Sequence, residues 1–315
     1  MTIAPEPLAA RSARIVEAVS AVVRGKDEIV EQAVIALVAG GHLLLEDIPG
    51  VGKTTLAHAL ARAIGGTFRR VQFTSDLLPS DLVGVSVYST RTESFDFQPG
   101  PLFAHVVLAD EINRAPPRTQ SALLEAMEEG RITVDGTSHD LPRPFFVLAT
   151  QNPLEHHGTY DLPESQLDRF LMRLSLGYAD EDTEIDLITA SDLPTAADVE
   201  AVASPEDMVA LHEAARAVTV TRPVAAYARR IVAATREHPD VMLGASTRAV
   251  LGWVAAARAR ALVHRRSHVE PDDLQALAVP VLAHRLAVTG AGARAERAAA
   301  EDVVRSILVE VPVPT

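Results

Sequence analysis

The sequence predicts an α/β domain, a parallel sheet flanked by helices and interrupted by two β-hairpins, followed by an all-helical domain. Three observations carry this. The runs Leu43–Leu45, Val106–Ala109 and Phe145–Thr150 are continuously apolar, as in strands buried on both faces. Amphipathic helical patterns alternate with them. Beyond residue 205 the pattern is helical throughout, rich in Ala and Arg, with no hairpin signal. The expected division is an α/β core over residues 1–180, a connection over 181–205, acidic and rich in small residues, and a helical lid over 206–315.

In chain order, Lys26 to Ala39 places Ile29, Val30, Ala33, Val34, Leu37 and Val38 on one helical stripe. Strand Leu43–Leu45 leads into residues 46–55, EDIPGVGKTT, and a helix with Leu56, Leu60 and Ile64 on one face, stopped by Gly65 and Gly66. Phe68–Phe73 is a short strand, and Pro117–Glu129 a helix ended by Gly130. Asp135-Gly136 between short strand-like runs signals one hairpin. Val85 and Val87 alternating with Phe95 and Phe97 around a polar tip signal the other. These hairpins either extend the sheet or project towards a partner or pore. The later helices are expected at Pro205–Val218, Pro223–His238, Ser246–His264, Pro271–Leu286 and Ala293–Val309.

Composition narrows the function. A net charge of −13 and an aromatic content of 4% argue against a protein that neutralises phosphate backbones or stacks bases, so nucleic acid is not an expected partner. There are 0 Cys, hence no disulfide framework and no thiolate metal site. The stretch MTIAPEPLAARSARI has no signal-peptide character. The most apolar region, Ala33 to Leu45, is broken by Gly40, Gly41 and His42 and is too short for a membrane span of roughly 20 residues. A cytoplasmic protein without a membrane span is expected.

Strand, glycine-bearing loop, Lys-Thr and helix form the phosphate-binding arrangement. Pro49, Gly50, Val51, Gly52, Lys53, Thr54 and Thr55 would aim backbone N–H groups and a helix N-terminus at phosphates. Lys53 would reach the β- and γ-phosphates, and the Thr54 hydroxyl would ligate Mg²⁺. One position departs from the pattern: Asp47 stands where a glycine is usual. The chain is therefore expected to bind a nucleoside triphosphate. Asp110 and Glu111 close a buried strand, where ligands bind in open α/β sheets. Asp110 would hold Mg²⁺ through its water shell, and Glu111 would polarise the attacking water. Asn152, after the next buried strand, could orient the same water or simply form a turn before Pro153. His156-His157 offers two metal-type side chains without a third at metal-site spacing. Trp253 reads as core, and Arg258, Arg260, Arg265 and Arg266 as a solvated helical face.

With EDIPGVGKTT, the segments VVLADEINRAPPRTQSALLEAMEE, VLATQNPLE, GTYDLPESQLDRF and GASTRAV in fixed order resemble the MoxR family of AAA+ ATPases. The resemblance runs from VRGKDE at Val23 to Pro271-Asp-Asp-Leu and the segment PVLAHR from Pro280; Asp161 departs from a usual Pro. It implies an AAA+ P-loop core with a helical lid, ATP and Mg²⁺ as cofactors, and the roles above for Lys53, Thr54, Asp110 and Glu111. It makes Asn152 the γ-phosphate sensor and Arg169 an arginine finger reaching the neighbouring subunit's nucleotide. Arg248 becomes a second sensor, acting in its own subunit or across the interface. From the residues alone, Arg169 would be a salt-bridge partner of Asp168 or Asp161, and Arg248 a surface charge. The family implies a homo-oligomer, usually a hexamer, with chaperone-like work on a protein, often beside a partner carrying a von Willebrand factor A domain. The alternatives are a nucleic-acid-linked AAA+ motor, a magnesium-chelatase-like ATPase subunit, and a nucleotide-gated binding module that barely turns over.

Overall fold

The computed structural model describes residues 8–152, 159–190, 192–289 and 293–314. The chain begins α1 (Leu8–Ser20), α2 (Asp27–Val38), β1 (Leu43–Glu46), α3 (Lys53–Ala63), β2 (Phe68–Gln72) and α4 (Pro79–Val83). The hairpin β3 (Gly84–Ser89) and β4 (Ser94–Pro99) precedes β5 (Val106–Asp110) and α5 (Pro117–Glu129). A second hairpin, β6 (Arg131–Val134) and β7 (Thr137–Asp140), leads to β8 (Phe146–Gln151), α6 (Glu164–Leu167) and β9 (Met172–Leu174). Helices α7 (Glu181–Thr189), α8 (Pro205–Ala217) and α9 (Arg222–Glu237) follow, then β10 (Val241–Leu243), α10 (Thr247–Val263), α11 (Pro271–Leu282), β11 (Ala287–Val288) and α12 (Ala293–Glu310).

The main sheet is parallel throughout, in the order β2-β5-β8-β1-β9. Its strands alternate between two apolar cores, as their period of two demands. Leu43, Leu45, Val106, Leu108, Phe146, Leu148, Met172 and Leu174 face one core. Leu44, Val107, Ala109, Val147 and Ala149 face the other, under α5. The first core continues without a break into the later helices through Met208, Leu211, Tyr227, Trp253, Leu277 and Val304. Trp253 is fully buried and donates its indole N–H to the Leu274 carbonyl at 2.9 Å.

The structure adds to and alters the expected elements. Strand β9 extends the sheet beyond β1; it is three residues long, with Arg173 at its centre, too short and too polar to stand out. Each hairpin is its own two-stranded sheet and does not extend the main one. They meet where Phe97 stacks on His139, with centroids 3.9 Å apart. The described residues of the connecting segment form structure of their own: α7 is capped by Asp180, which accepts from the Thr183 N–H at 2.8 Å, and Ala196, Val199 and Ala203 join the first core. Of the arginines expected as a solvated face, Arg265 is exposed, but two others are drawn inward. Arg260 and Arg266 converge on Asp273, whose side chain is 0% exposed, at 2.6 and 2.5 Å. No helix among the described residues is long and apolar enough to cross a membrane.

Candidate functional site

At the C-terminal ends of β1, β5 and β8 lies an open cleft of about 360 Å³. Pro49, Gly50, Gly52, Lys53, Thr54 and Thr55 form one wall. Gly50 and Gly52 have φ of 88° and 97°, left-handed values that a Cβ would strain. Val51 instead packs its side chain against the apolar core. The Lys53 ammonium folds back onto its own loop, donating to the Asp47 and Ile48 carbonyls at 3.0 and 2.9 Å. These are weak enough partners for a phosphate to displace.

Asp47, the departure from the glycine pattern, has a structural task. Its buried carboxylate accepts from Ser175 Oγ at 2.8 Å, the Leu176 N–H at 2.6 Å and the Gly177 N–H at 3.0 Å. It pins the start of the loop to the chain leaving β9. A glycine there would leave those two backbone donors to find other partners.

The opposite wall holds Asp110, Glu111, Thr150 and Asn152. Thr150 orients both acids: its hydroxyl donates to Asp110 at 2.6 Å and accepts from the Glu111 N–H at 2.8 Å. Glu111 has φ of 57°, an uncommon value for a residue with a side chain. Its carboxylate is held by Gln72 Nε2 at 2.7 Å and by Arg114 at 3.1 Å. Asp110 receives Arg70 Nη2 at 2.6 Å and Nε at 3.1 Å. Arg70 and Gln72 escaped the sequence reading. Their signal was available: they sit two apart at the end of a strand beside the acid-bearing one, with Gln72 in register with Asp110.

Arg169 and Arg248 lie elsewhere. Arg169 lines a second cleft, of about 270 Å³, with Glu125, Glu128 and Gln166. The Glu128 carboxylate receives Arg169 Nε at 3.0 Å and Arg248 Nη2 at 2.8 Å. The Arg169 hydrogen bond, helped by Arg248, holds this carboxyl below the usual carboxylate range. The salt-bridge expectation named the wrong acid, since Asp168 pairs with Arg285 at 2.6 Å. His156-His157 lies outside the described residues. Among the described residues no group of three His, Cys, Asp or Glu could hold a metal by itself.

Residues 42–172 match the family model described as "ATPase family associated with various cellular activities (AAA)", and residues 233–307 match the AAA lid domain. The uncharacterized protein YeaC of Bacillus subtilis is 48% identical, over 96% of this chain and 94% of its own. The chaperone MoxR1 of Mycobacterium tuberculosis is 41% identical, over 96% of this chain and 82% of its own. The chain belongs to the MoxR family of AAA+ ATPases. The crystal structure of a candidate ATPase from Cytophaga hutchinsonii superposes with a TM-score of 0.87 at 34% identity, covering 98% of this chain and 96% of that one. This MoxR protein is accordingly an ATPase with the α/β AAA+ fold and a C-terminal helical lid.

Proposed function

We propose that the loop cleft is the ATP site and that it becomes complete only when subunits assemble. One observation carries this reading: Lys53, Thr54, Asp110, Glu111 and Asn152 share one cleft, whereas Arg169 lines another and shares Glu128 there with Arg248. In this reading the loop N–H groups and Lys53 hold the phosphates. Glu111 polarises the attacking water, Asn152 orients it against the γ-phosphate, and Arg169 of a neighbour neutralises the charge that develops. Arg248, sharing Glu128 with Arg169, is assigned to the same neighbouring site.

Thr54 and Asp110 are assigned as the Mg²⁺ ligands, Asp110 through the ion's water shell. The donor set fits: Mg²⁺ takes one or two protein oxygens when phosphates complete its shell, so no all-protein cage is needed. Bound there, the ion would offset the negative charge of the phosphates.

The assembly is proposed to be a hexameric ring in the cytoplasm, acting as a chaperone-like remodeller, with a von Willebrand factor A domain protein as its partner. Support comes from the net charge of −13, which suits protein partners better than nucleic acid. The β3–β4 hairpin also presents exposed Val87, Tyr88 and Phe95, apolar surface of the kind that protein contacts cover.

The test is ATP hydrolysis per subunit across a wide range of protein concentration. Specific activity that rises steeply and saturates supports the shared site. Activity that is high and independent of concentration, in a protein that sediments as a monomer throughout, refutes it.

A further inference from the structure

The segment PVLAHR, residues 280–285, belongs to the sequence resemblance but has no task in the catalytic scheme above. The structure places its last residue where the lid meets the finger. The Arg285 side chain is 4% exposed and paired with Asp168, the neighbour of Arg169, through Nε at 2.6 Å. The same guanidinium donates to the backbone carbonyls of Asp168 at 3.2 Å, Phe170 at 2.7 Å and Leu171 at 3.1 Å. Its remaining bond goes to the Val281 carbonyl on α11. His284 beside it reaches the Phe170 carbonyl at 3.1 Å. One lid side chain thus grips three of the four residues 168–171 and so brackets Arg169.

A guanidinium this buried carries a desolvation penalty unless nearly every donor is paired, and here they are paired with one short segment. Two further contacts run from the same lid to the same place. Ser246 Oγ approaches Asp168 Oδ2 at 3.4 Å, and Arg248 shares Glu128 with Arg169. From the same lid, Arg297 on α12 pairs at 3.0 Å with Glu46, the last residue of β1, ahead of the phosphate loop. Helix α12 also packs against the turn that carries Arg285. The lid therefore bridges the loop of its own site and the arginine offered to the next.

We propose that Arg285 is a positioning residue that sets the placement of Arg169, so that lid movement in one subunit governs hydrolysis in its neighbour. The proposal rests on Arg169 acting across the interface. A misplacement of about 1 Å in an arginine that must meet a transferring phosphoryl costs about 10²-fold in rate.

The experiment uses full-length Arg285→Ala, with Arg285→Lys as a second variant that keeps the positive charge opposite Asp168 but loses the planar fork. Turnover of Arg285→Ala should fall about 10²-fold while the affinity for ATP, measured by equilibrium binding, stays at the wild-type value. The deciding readout is a mixture with Glu111→Gln subunits, which have a silent site but an intact finger. In mixed assemblies the sound finger should complete the site of the Arg285 variant and raise its rate severalfold; a protein that merely misfolds gains nothing from mixing. Arg285→Lys should show the same rescue from a smaller deficit. The control mixture is Arg169→Ala with Glu111→Gln. If the control recovers and neither Arg285 variant does, or if both variants turn over at the wild-type rate, the positioning role is wrong. If the control itself fails to recover, the trans finger falls and this proposal falls with it.

Discussion

The two clefts of this ATPase restrain their functional side chains in opposite senses. In the first, two acids are restrained by Arg70, Gln72 and Arg114. In the second, two arginines are restrained by one acid, Glu128. Neither set of side chains lies in contact with the other. Each cleft keeps these groups occupied with local partners. In the proposed assembly, a second copy would bring its Arg169 to Glu111. If this comparison is right, substitutions in the two clefts should fail in different ways.

The largest difference is expected at the second cleft. Arg169→Ala should lower turnover by about 10³-fold or more, the scale of arginine fingers in other nucleotide hydrolases. ATP affinity of dilute subunits should be unchanged, because Arg169 does not line the loop cleft. Single-turnover hydrolysis beside equilibrium nucleotide binding checks this; a large loss of affinity in dilute protein would place Arg169 in its own subunit's site.

At the first cleft, Glu111→Gln should lower turnover by about 10²- to 10⁴-fold, the usual range for loss of a general base. Here the defect stays inside the substituted subunit. Mixed with wild type, Glu111→Gln should silence its own site alone while still lending its Arg169. Rates that scale with the fraction of wild-type subunits would agree with that; a Glu111→Gln protein as active as wild type would remove the acid from the chemistry.

A third prediction concerns the tie between the clefts. His42, just before β1, accepts the Val147 N–H on Nδ1 at 3.1 Å and donates from Nε2 to the Met127 carbonyl at 3.1 Å. Met127 adjoins Glu128, so this imidazole links the central strands to the helix end that holds the arginines. Burial pushes its pKa down to about 4 from 6.5, more than the Met127 bond raises it. The folded state thus binds the proton later than the unfolded state. His42 stability is fully present above about pH 6.5 and is lost as pH falls towards 4, a change of about 3 kcal/mol. Denaturant unfolding from pH 7 to 4.5 should show that slope in wild type and a shallower one in His42→Gln. Equal slopes would mean that this histidine is not held neutral.

What the sequence disclosed and what it withheld divide along the same physical line. The phosphate loop, Asp110-Glu111 and the buried strands announce themselves through local pattern, because glycine freedom, strand burial and helix starts are decided by neighbours in the chain. Glu128 and Arg285 gave no such signal, and that of Arg70 and Gln72 shows only once β2 is set beside β5. Each looks like an ordinary surface polar residue until a partner 39 to 120 positions away is brought against it. Asp47 shows both sides: the sequence marks it as a departure, yet only the packing of residues 175–177 explains why a carboxylate serves there. Arg260 and Arg266 fail for the same reason, since nothing in the helix pattern reveals the buried Asp273 between them.

The smallest expected effect tests whether the restraints themselves regulate. Gln72 donates one hydrogen bond to Glu111 at the rim of an open cleft. Such a bond to a charged group is worth about 1 kcal/mol after allowance for solvent, roughly a fivefold change. Arg114 still holds the carboxylate at 3.1 Å, which limits the gain. Gln72→Ala should therefore raise basal hydrolysis a fewfold, by freeing Glu111 to meet water. Glu128→Gln should do the same from the other cleft, by releasing Arg169 and Arg248, and its gain should depend on protein concentration because the freed arginines act on a neighbour. Steady-state phosphate release at low and high protein concentration separates the two. If Gln72→Ala slows the enzyme instead, the Gln72 bond is orienting Glu111 for catalysis, and the symmetry between the clefts ends there: one acid is being aimed while the two arginines are merely parked.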